Sequence, residues 1–221
     1  MIKYFSQKQQ DKWVIEEALD GKRSGFFLDT AATDGIKGNN TYVLEKDFGW
    51  TGIAIEPNPK FYQDLIKNRE CITENAVISN KRETVTMRID NGACGGIVAE
   101  DTDNSLKVRA HALQSKKCKT IEMDAVLLED ILDKHNAPKE IDYWSLDIEG
   151  TEERVISSFN FEKYEFGCIT IERPTPLCNQ ILQEKGYVFV KNHLYDSFYV
   201  APKYAKFLEL KPFRQIPKKD W

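Results

Sequence analysis

Five acidic residues stand at the carboxyl ends of stretches that have the pattern of buried strands. Asp29 closes "FFLD", Glu56 closes "IAIE", Asp147 and Glu149 follow in "SLDIEG", and Glu172 closes "ITIE". When strands run parallel, such ends gather at one edge of the sheet, where α/β proteins bind their ligands. We therefore expect a single crevice that holds all five carboxyl groups.

The first two acids predict a ligand that carries hydroxyl and amino groups. Small residues and Gly35 follow Asp29 and let a ligand approach the backbone, and Asn40 and Thr41 suit the cap of the next helix. Glu56 suits the two hydroxyls of a ribose. A dinucleotide would need the run GxGxxG, which this chain lacks, so S-adenosylmethionine fits better. The alternative is that Asp29 only caps a helix and Glu56 is a surface acid.

The other three acids predict proton transfer from an acceptor. Methyl transfer needs mainly alignment, but a hydroxyl acceptor must also lose its proton. Crowding of Asp147, Glu149 and Glu172 would raise a pKa or recruit a divalent cation. Arg173 directly follows Glu172 and would neutralise it, so we expect catalysis without a metal ion, with His193 as a reserve base. The alternative role of Glu149 is to cap the following helix.

Strand-like apolar runs alternate with helical patterns along the chain. This alternation predicts an α/β fold, with a mostly parallel sheet and helices on both faces. The last two strands have no helix between them and predict an antiparallel hairpin at the sheet edge. We expect a single domain over 1–221, with a helical lead-in over about 1–24 and a polar insertion or lid over about 84–120. The predicted strands are 26–30, 53–56, 71–78, 143–148, 167–172, 187–191 and 197–201; the predicted helices are 8–19, 41–48, 60–68, 125–134, 152–158 and 176–185.

The composition of the 221 residues narrows the class of protein. A formal net charge of −4 argues against a nucleic-acid-binding surface. The five cysteines are scattered and form no CxxC pair, which predicts free thiols in a reducing compartment. No apolar run is long enough to span a membrane, and the first residues lack a signal-peptide core. We therefore expect a cytoplasmic protein.

Four stretches of the chain are similar to the FkbM family of S-adenosylmethionine-dependent methyltransferases. They are "LDTAATDGIKGNNTYVLEKDFGWTGIAIEPNP", "NAVIS", "IDYWSLDIEGTEERVISSFNF" and "ITIERP". The likeness extends roughly over residues 26–200. It implies the Rossmann-like class I methyltransferase fold with a seven-stranded sheet, and methyl transfer, commonly to an oxygen of a sugar or natural product.

The resemblance also implies a set of cofactor residues. They are Asp29, Ala31, Ala32 and Gly35 in the cofactor loop, Asn40 and Thr41 near the methionine carboxylate, Glu56 at the ribose, and Asn58, Asn75 and Ala76 around the adenine.

The chain departs from the family pattern in the cofactor loop. Ala31 stands where the family has glycine, and Thr33 where it usually has asparagine. We expect Ala31 to adopt ordinary extended backbone, so that its methyl group causes no strain. Three functions stay open: O-methylation of a sugar or glycan, methylation of another small molecule or a protein, and ligand binding by a fold that has lost catalysis. The chain is also a candidate for one part of a larger multidomain enzyme.

Overall fold

In the computed structural model, the described residues are 2–90, 92–108, 114, 118–206 and 208–215. Their strands are β1 (Phe26–Thr30), β2 (Thr51–Ile55), β3 (Ile72–Glu74), β4 (Val77–Ile78), β5 (Glu83–Arg88), β6 (Gly96–Ile97), β7 (Thr120–Val126), β8 (Glu140–Leu146), β9 (Glu165–Glu172), β10 (Val188–His193) and β11 (Asp196–Val200). Their helices are α1 (Gln10–Trp13), continued by a π-helix (Val14–Ala18), then α2 (Tyr42–Phe48), α3 (Pro59–Asn68), α4 (Leu128–Lys134), α5 (Glu152–Ser158), α6 (Pro176–Glu184) and α7 (Pro202–Ala205).

Seven strands form the main sheet, in the order β10-β11-β9-β8-β1-β2-β3. The strands β3, β2, β1, β8 and β9 run parallel, whereas β11 is antiparallel to both β9 and β10. The predicted α/β class, the mostly parallel sheet and the closing hairpin are confirmed. The strand order reverses between β1 and β8, and ligands of α/β proteins bind at such a reversal.

Helices cover both faces of the main sheet, because successive residues of a strand point to opposite sides. On one side, Leu28, Trp144 and Ile169 pack under α4, α5 and α6. On the other side, Phe27 and Tyr143 pack against the N-terminal helix and α2. All five side chains are fully buried. The helices on the two faces hold the ends of the strands in place. A site that is assembled from several strands needs such fixed positions.

A second sheet lies where sequence analysis predicts only a polar insertion or lid. Its order is β4-β7-β5-β6, and β5 pairs antiparallel with β7, near the two ends of the segment 84–120. Val85 and Met87 point inward and are buried, while Thr84 and Thr86 donate hydrogen bonds to acidic side chains of β7 on the other face. The two-residue alternation is therefore present in the sequence, but polar residues on the outer face obscure it.

The N-terminal helix lies against the hairpin end of the main sheet. Trp13 packs on Phe198 of β11, with ring centroids 4.8 Å apart. The helix begins at Gln10 rather than at residue 8, because Gln9 has a φ of 60°. None of the five cysteines, all of which lie in the described part of the chain, forms a disulfide bond. Among the described residues, no helix is both long and apolar enough to cross a bilayer.

Candidate active site

Two adjoining cavities lie at the carboxyl edge of the main sheet and share Ala31 as a wall. The apolar slot is lined by Thr30, Ala31, Ile55, Pro57, Ala76, Val77, Ile78, Met87, Gly95, Gly96, Ile97, Ile148 and Thr151. The polar cleft is lined by Gln7, Asp29, Ala31, Thr33, Lys37, Gly38, Asn39, Asn40, Ala93, Cys94, Ser145, Asp147, Glu149 and Glu172. The second sheet supplies residues to the slot, so both sheets build the site.

Asp29 lies buried at the end of β1 and is held by two polar neighbours. Its Oδ2 accepts hydrogen bonds from Asn39 Nδ2 at 2.9 Å and from Thr41 Oγ1 at 2.7 Å. Burial raises the pKa of Asp29, while Arg69 and the two donors act in the opposite direction. These contacts fix the carboxyl group on the wall of the polar cleft.

Arg69 is a buried cation behind the loop that follows β1. Its Nε lies 2.9 Å from Glu45 Oε2, and its guanidinium donates to Asn39 Oδ1 and Thr41 Oγ1 at 3.0 Å each. Gly35 has a φ of 79°, and a Cβ there would come within 2.7 Å of the Arg69 side chain. Gly35 therefore serves the packing of the loop against this arginine.

Ala31 has a φ of 78° and Thr33 a φ of 51°, so both occupy the left-handed region that favours glycine. The expectation of unstrained extended backbone at Ala31 is therefore wrong. The cause is the sharp turn after β1, in which the amides of Ala31 and Ala32 both donate to the carbonyl oxygen of Ile55 at 2.9 Å. A residue with a Cβ costs roughly 1–2 kcal/mol in this conformation.

Glu56 follows β2 and is buried next to the residues that line the two cavities. Its Oε2 accepts a hydrogen bond from the Thr33 amide at 2.7 Å, and its Oε1 accepts one from the Asn58 amide at 2.8 Å. Glu56 is 4% exposed, and burial raises its pKa to about 7 against the effect of the two amides. Each carboxylate oxygen has a further lone pair for a hydroxyl donor. The adjacent residues Ile55 and Pro57 line the slot.

The other predicted cofactor residues differ in their access to the cavities. Ala76 lines the slot, whereas Ala32 is fully buried beneath the loop. Asn75 Nδ2 donates to two carbonyls of the turn after β2, at 2.8 and 3.0 Å. Asn58 caps α3 by accepting a hydrogen bond from its first turn at 3.0 Å. Asn40 lines the cleft and donates to a serine hydroxyl of β8 at 2.8 Å.

Asp147 and Glu172 lie together just past β8 and at the end of β9, and Glu152 joins them. One carboxylate oxygen from each residue lies within 4.8 Å of the other two. Burial and the neighbouring Asp147 raise the pKa of Glu172, and burial raises the pKa of Glu152 to about 8. Such a group can retain a proton, or its three carboxylates can hold a small divalent cation.

Arg173 supplies the positive charge beside these acids. Its Nη2 lies 2.6 Å from Glu172 Oε2, 2.6 Å from Asp103 Oδ2 and 3.7 Å from Glu149 Oε2. Arg173 has a φ of 46°, and its amide donates to the Tyr195 carbonyl at 2.8 Å. The chain therefore turns sharply after β9 and brings the guanidinium back over the carboxylates.

Glu149 forms part of the cleft wall and has a φ of 56°. It does not cap the next helix: the N-cap of α5 is Thr151, and the Ile148 amide donates to Glu152 Oε1 at 2.8 Å instead. A Cβ added to Gly96 of β6 would come within 3.0 Å of the Glu149 Cβ. The second sheet therefore packs directly against this acid.

His193 ends β10 and is not among the residues that line the polar cleft. It pairs with Asp196 of β11, and Asp196 pairs with Glu172 of β9. Asp196 is buried and accepts a hydrogen bond from Gln10. Burial and the charge of Asp147 raise the pKa of Asp196 to about 8. The structure brings the three predicted acids together in one cleft and places His193 two strands away from them.

Five polar residues that surround these groups are not predicted from the sequence: Asn39, Arg69, Asp103, Glu152 and Asp196. A signal was present for Glu152, because "DIEGTEE" places further acids in the first turn of the helix after the strand end. Arg69 and Asp103 come from the end of a surface helix and from the insertion. Their contacts arise only when distant segments fold together.

The sheet is doubly wound, and the slot and the cleft lie where its strand order reverses, between β1 and β8. This is the Rossmann-like fold of class I methyltransferases. The protein belongs to the FkbM methyltransferase family, because the family model described as "Methyltransferase FkbM domain" matches residues 29–189. The match includes all ten cofactor residues of the resemblance, together with Asp147, Glu149 and Glu172. His193 lies outside it.

Among solved structures, precorrin-6y C5,15-methyltransferase from Geobacter metallireducens GS-15 is similar to this chain. The two share 12% sequence identity with a TM-score of 0.41, over 89% of this chain and 90% of that chain. Comparison with curated proteins found no match.

Proposed function

We propose that this methyltransferase carries a methyl group from S-adenosylmethionine to a hydroxyl group of a sugar or glycan. The observation that carries the proposal is the buried Glu56 carboxylate, which accepts a hydrogen bond from the cleft residue Thr33 and stands in the chain between the slot residues Ile55 and Pro57. A flat adenine suits the slot, and ribose hydroxyls suit the free lone pairs of Glu56. The acidic cleft suits an amino group and a sulfonium.

The loop after β1 favours this cofactor over a dinucleotide. A pyrophosphate needs a cradle of backbone amides and positive charge, whereas here Asp29 faces the cleft. The amides of Ala31 and Ala32 are already bound to the Ile55 carbonyl. The loop therefore presents a carboxyl group at the position where a dinucleotide carries its own negative charge.

In the proposed reaction, the acceptor oxygen attacks the methyl carbon in line. The carbon–sulfur bond breaks, and its electron pair stays on sulfur. The hydroxyl proton passes to Asp147, which we place as the general base, while Glu149 orients the acceptor. Glu172 keeps its own proton beside Asp147, in line with its raised pKa. Arg173 stabilises Asp103 and Glu149, which stay ionised in this proposal.

The uncharged polar lining of the cleft supports a hydroxyl-rich acceptor. Gln7, Asn40 and Ser145 offer amide and hydroxyl groups that can bind sugar hydroxyls. The family resemblance also points to sugars and natural products. The competing functions are methylation of another small molecule or a protein, and binding without turnover.

Calorimetry and a methylation assay separate these functions. We expect the protein to bind S-adenosylmethionine in preference to NADH, and mass spectrometry to detect a methyl gain on a glycan. The variant Asp147→Asn should lose roughly 100-fold or more in turnover, since general base catalysis contributes at least that much, while it binds cofactor normally. Asp124→Asn, on the exposed face of β7, is the matched control. Full turnover in both Asp147→Asn and Glu149→Gln would contradict the assignment.

A further inference from the structure

A smaller cavity, which we call the basic pocket, lies beside the β10–β11 hairpin and against the N-terminal helix. Its walls carry Lys8, Lys12, Lys191 and His193, and the rings of Trp13 and Phe198 form its buried floor. The rings meet edge to face with centroids 4.8 Å apart. The floor is therefore aromatic, and three of the groups around it are lysines.

The carboxylates near the basic pocket cancel only part of its charge. Glu17 also lines the pocket and neutralises Lys191, whose Nζ binds both its oxygens at 2.9 and 2.6 Å. Glu16 lies 3.8 Å from Lys12 in a pair with about half of each side chain exposed, and such pairs contribute little. Lys8 lies over the Tyr195 ring, 5.4 Å from its centroid. The pocket keeps an excess of positive charge.

The Trp13 indole adds an independent observation. Trp13 is 2% exposed, and its buried Nε1 finds no hydrogen-bond acceptor among the described residues. An indole N–H can only donate, and a buried donor normally has a partner. Trp13 thus lines the basic pocket and keeps its N–H buried beneath the surface, where its signal can report on a group bound in the pocket.

The basic pocket lies close to the polar cleft. Gln7 lines the polar cleft and the next residue, Lys8, lines the basic pocket. His193, Asp196 and Glu172 form one row across β10, β11 and β9. Since directly paired residues on neighbouring strands have Cα atoms roughly 5 Å apart, this row spans about 10 Å. This distance is comparable to the length of one sugar residue together with its substituent.

We propose that the basic pocket binds an anionic group of the acceptor, a carboxylate or a phosphate ester, while a neighbouring hydroxyl enters the polar cleft. The role in acceptor binding rests on the proposed function. The lysines supply the positive charge, and the rings of Trp13 and Phe198 form the floor beneath the bound group. The acceptor class is thereby narrowed to acidic sugars or glycans.

An NMR titration of the Trp13 indole N–H signal tests this proposal, with Trp13→Phe to assign the signal. We expect acetate, inorganic phosphate and glucuronate to shift the signal and glucose to leave it unchanged. The variants Lys8→Met and Lys12→Met should each weaken glucuronate binding by roughly tenfold, the effect of one charge-assisted hydrogen bond. The control is Lys185→Met, at the exposed end of α6 over the opposite face of the sheet.

The probes separate a free anion from an anionic acceptor. Glucuronate that binds more tightly than acetate supports an acceptor whose ring reaches the cleft, whereas equal affinities overturn the acceptor role. A signal that none of the anions moves, or variants that bind glucuronate like Lys185→Met, overturn the basic pocket itself. Calorimetry with S-adenosylmethionine on the same samples tests the proposed function separately and shows whether each variant is folded.

Discussion

Replacing Ala31 with glycine should stabilise the protein, which is unusual for such a substitution. Glycine normally lowers stability because it loses more backbone freedom on folding. At Ala31 the φ of 78° reverses the balance. Relief of the left-handed strain contributes roughly 1–2 kcal/mol, and the entropy of glycine offsets roughly 0.4–1 kcal/mol of it. We expect a net gain of about 1 kcal/mol in the free energy of unfolding.

The matched control lies one residue away. Ala32 is fully buried, and its φ is not positive. Ala32→Gly should therefore lose stability, by about 1–2 kcal/mol, through chain entropy and the lost methyl contact. Two adjacent substitutions of the same kind are expected to have opposite signs. The gain at Ala31 follows from its left-handed backbone, which Ala32 does not share.

Urea unfolding at equilibrium, followed by fluorescence and by circular dichroism, measures both variants. For a chain of 221 residues, a gain of about 1 kcal/mol should raise the melting temperature by roughly 2–4 °C. Ala31 also forms the wall shared by the slot and the cleft. Removal of its methyl group should therefore strengthen binding of S-adenosylmethionine a few-fold. A loss of stability equal to that of Ala32→Gly would refute the left-handed assignment.

Three further predictions concern the acids. In calorimetry, Glu56→Ala should weaken binding of S-adenosylmethionine by about 1.5–3 kcal/mol, or roughly 10- to 100-fold. The control is Glu74→Ala, at the next strand end, and an equal loss of binding in this variant would contradict the assignment of Glu56 to the ribose. Methyl transfer should survive exhaustive chelation, because Arg173 lies 2.6 Å from Glu172 and supplies the positive charge that a metal ion would otherwise provide. Activity that disappears on chelation and returns with magnesium or manganese would contradict metal-independent catalysis. Burial raises the pKa of Glu152 from 4.5 to about 8. Between these two pH values the folded protein keeps a proton that the unfolded chain has lost. The stability of the wild-type protein should therefore fall as the pH rises from 4.5 to about 8. Glu152→Gln should remove this slope and gain more than about 1 kcal/mol over wild type between pH 5 and pH 8, since one pKa unit corresponds to about 1.4 kcal/mol; parallel stability curves would contradict it.

The elements of the main sheet could be predicted because their sequence signals are local. The strand 26–30 and the helix 152–158 are observed with the predicted bounds, Phe26–Thr30 and Glu152–Ser158. A continuous apolar run marks the first, and acids in the first turn mark the second. The second sheet escaped prediction because one face of β5 and β7 is polar, and their pairing joins segments that are distant in the chain.

The candidate site likewise contains features that the sequence predicts and features that arise only from contacts between distant segments. Acids at parallel strand ends could be located from the sequence, since the topology alone gathers them. The φ of Ala31 could not, because it is set by a carbonyl on β2 that binds two successive amides. The contacts of Arg69 with Asn39 and Thr41 likewise exist only after α3 has packed beside the loop.

The charge of the polar cleft gives the proposed reaction a direction. Among the described residues that line the cleft, Asp29, Asp147, Glu149 and Glu172 are acidic and Lys37 is basic. Such a lining attracts a sulfonium, because opposite charges interact strongly where water is scarce. Methyl transfer converts that sulfonium into a neutral thioether, so the same lining holds the spent cofactor less tightly than the fresh one. The acids that we propose to orient the acceptor should therefore also favour release of the spent cofactor after turnover, and a cleft with fewer carboxylates should lose both effects.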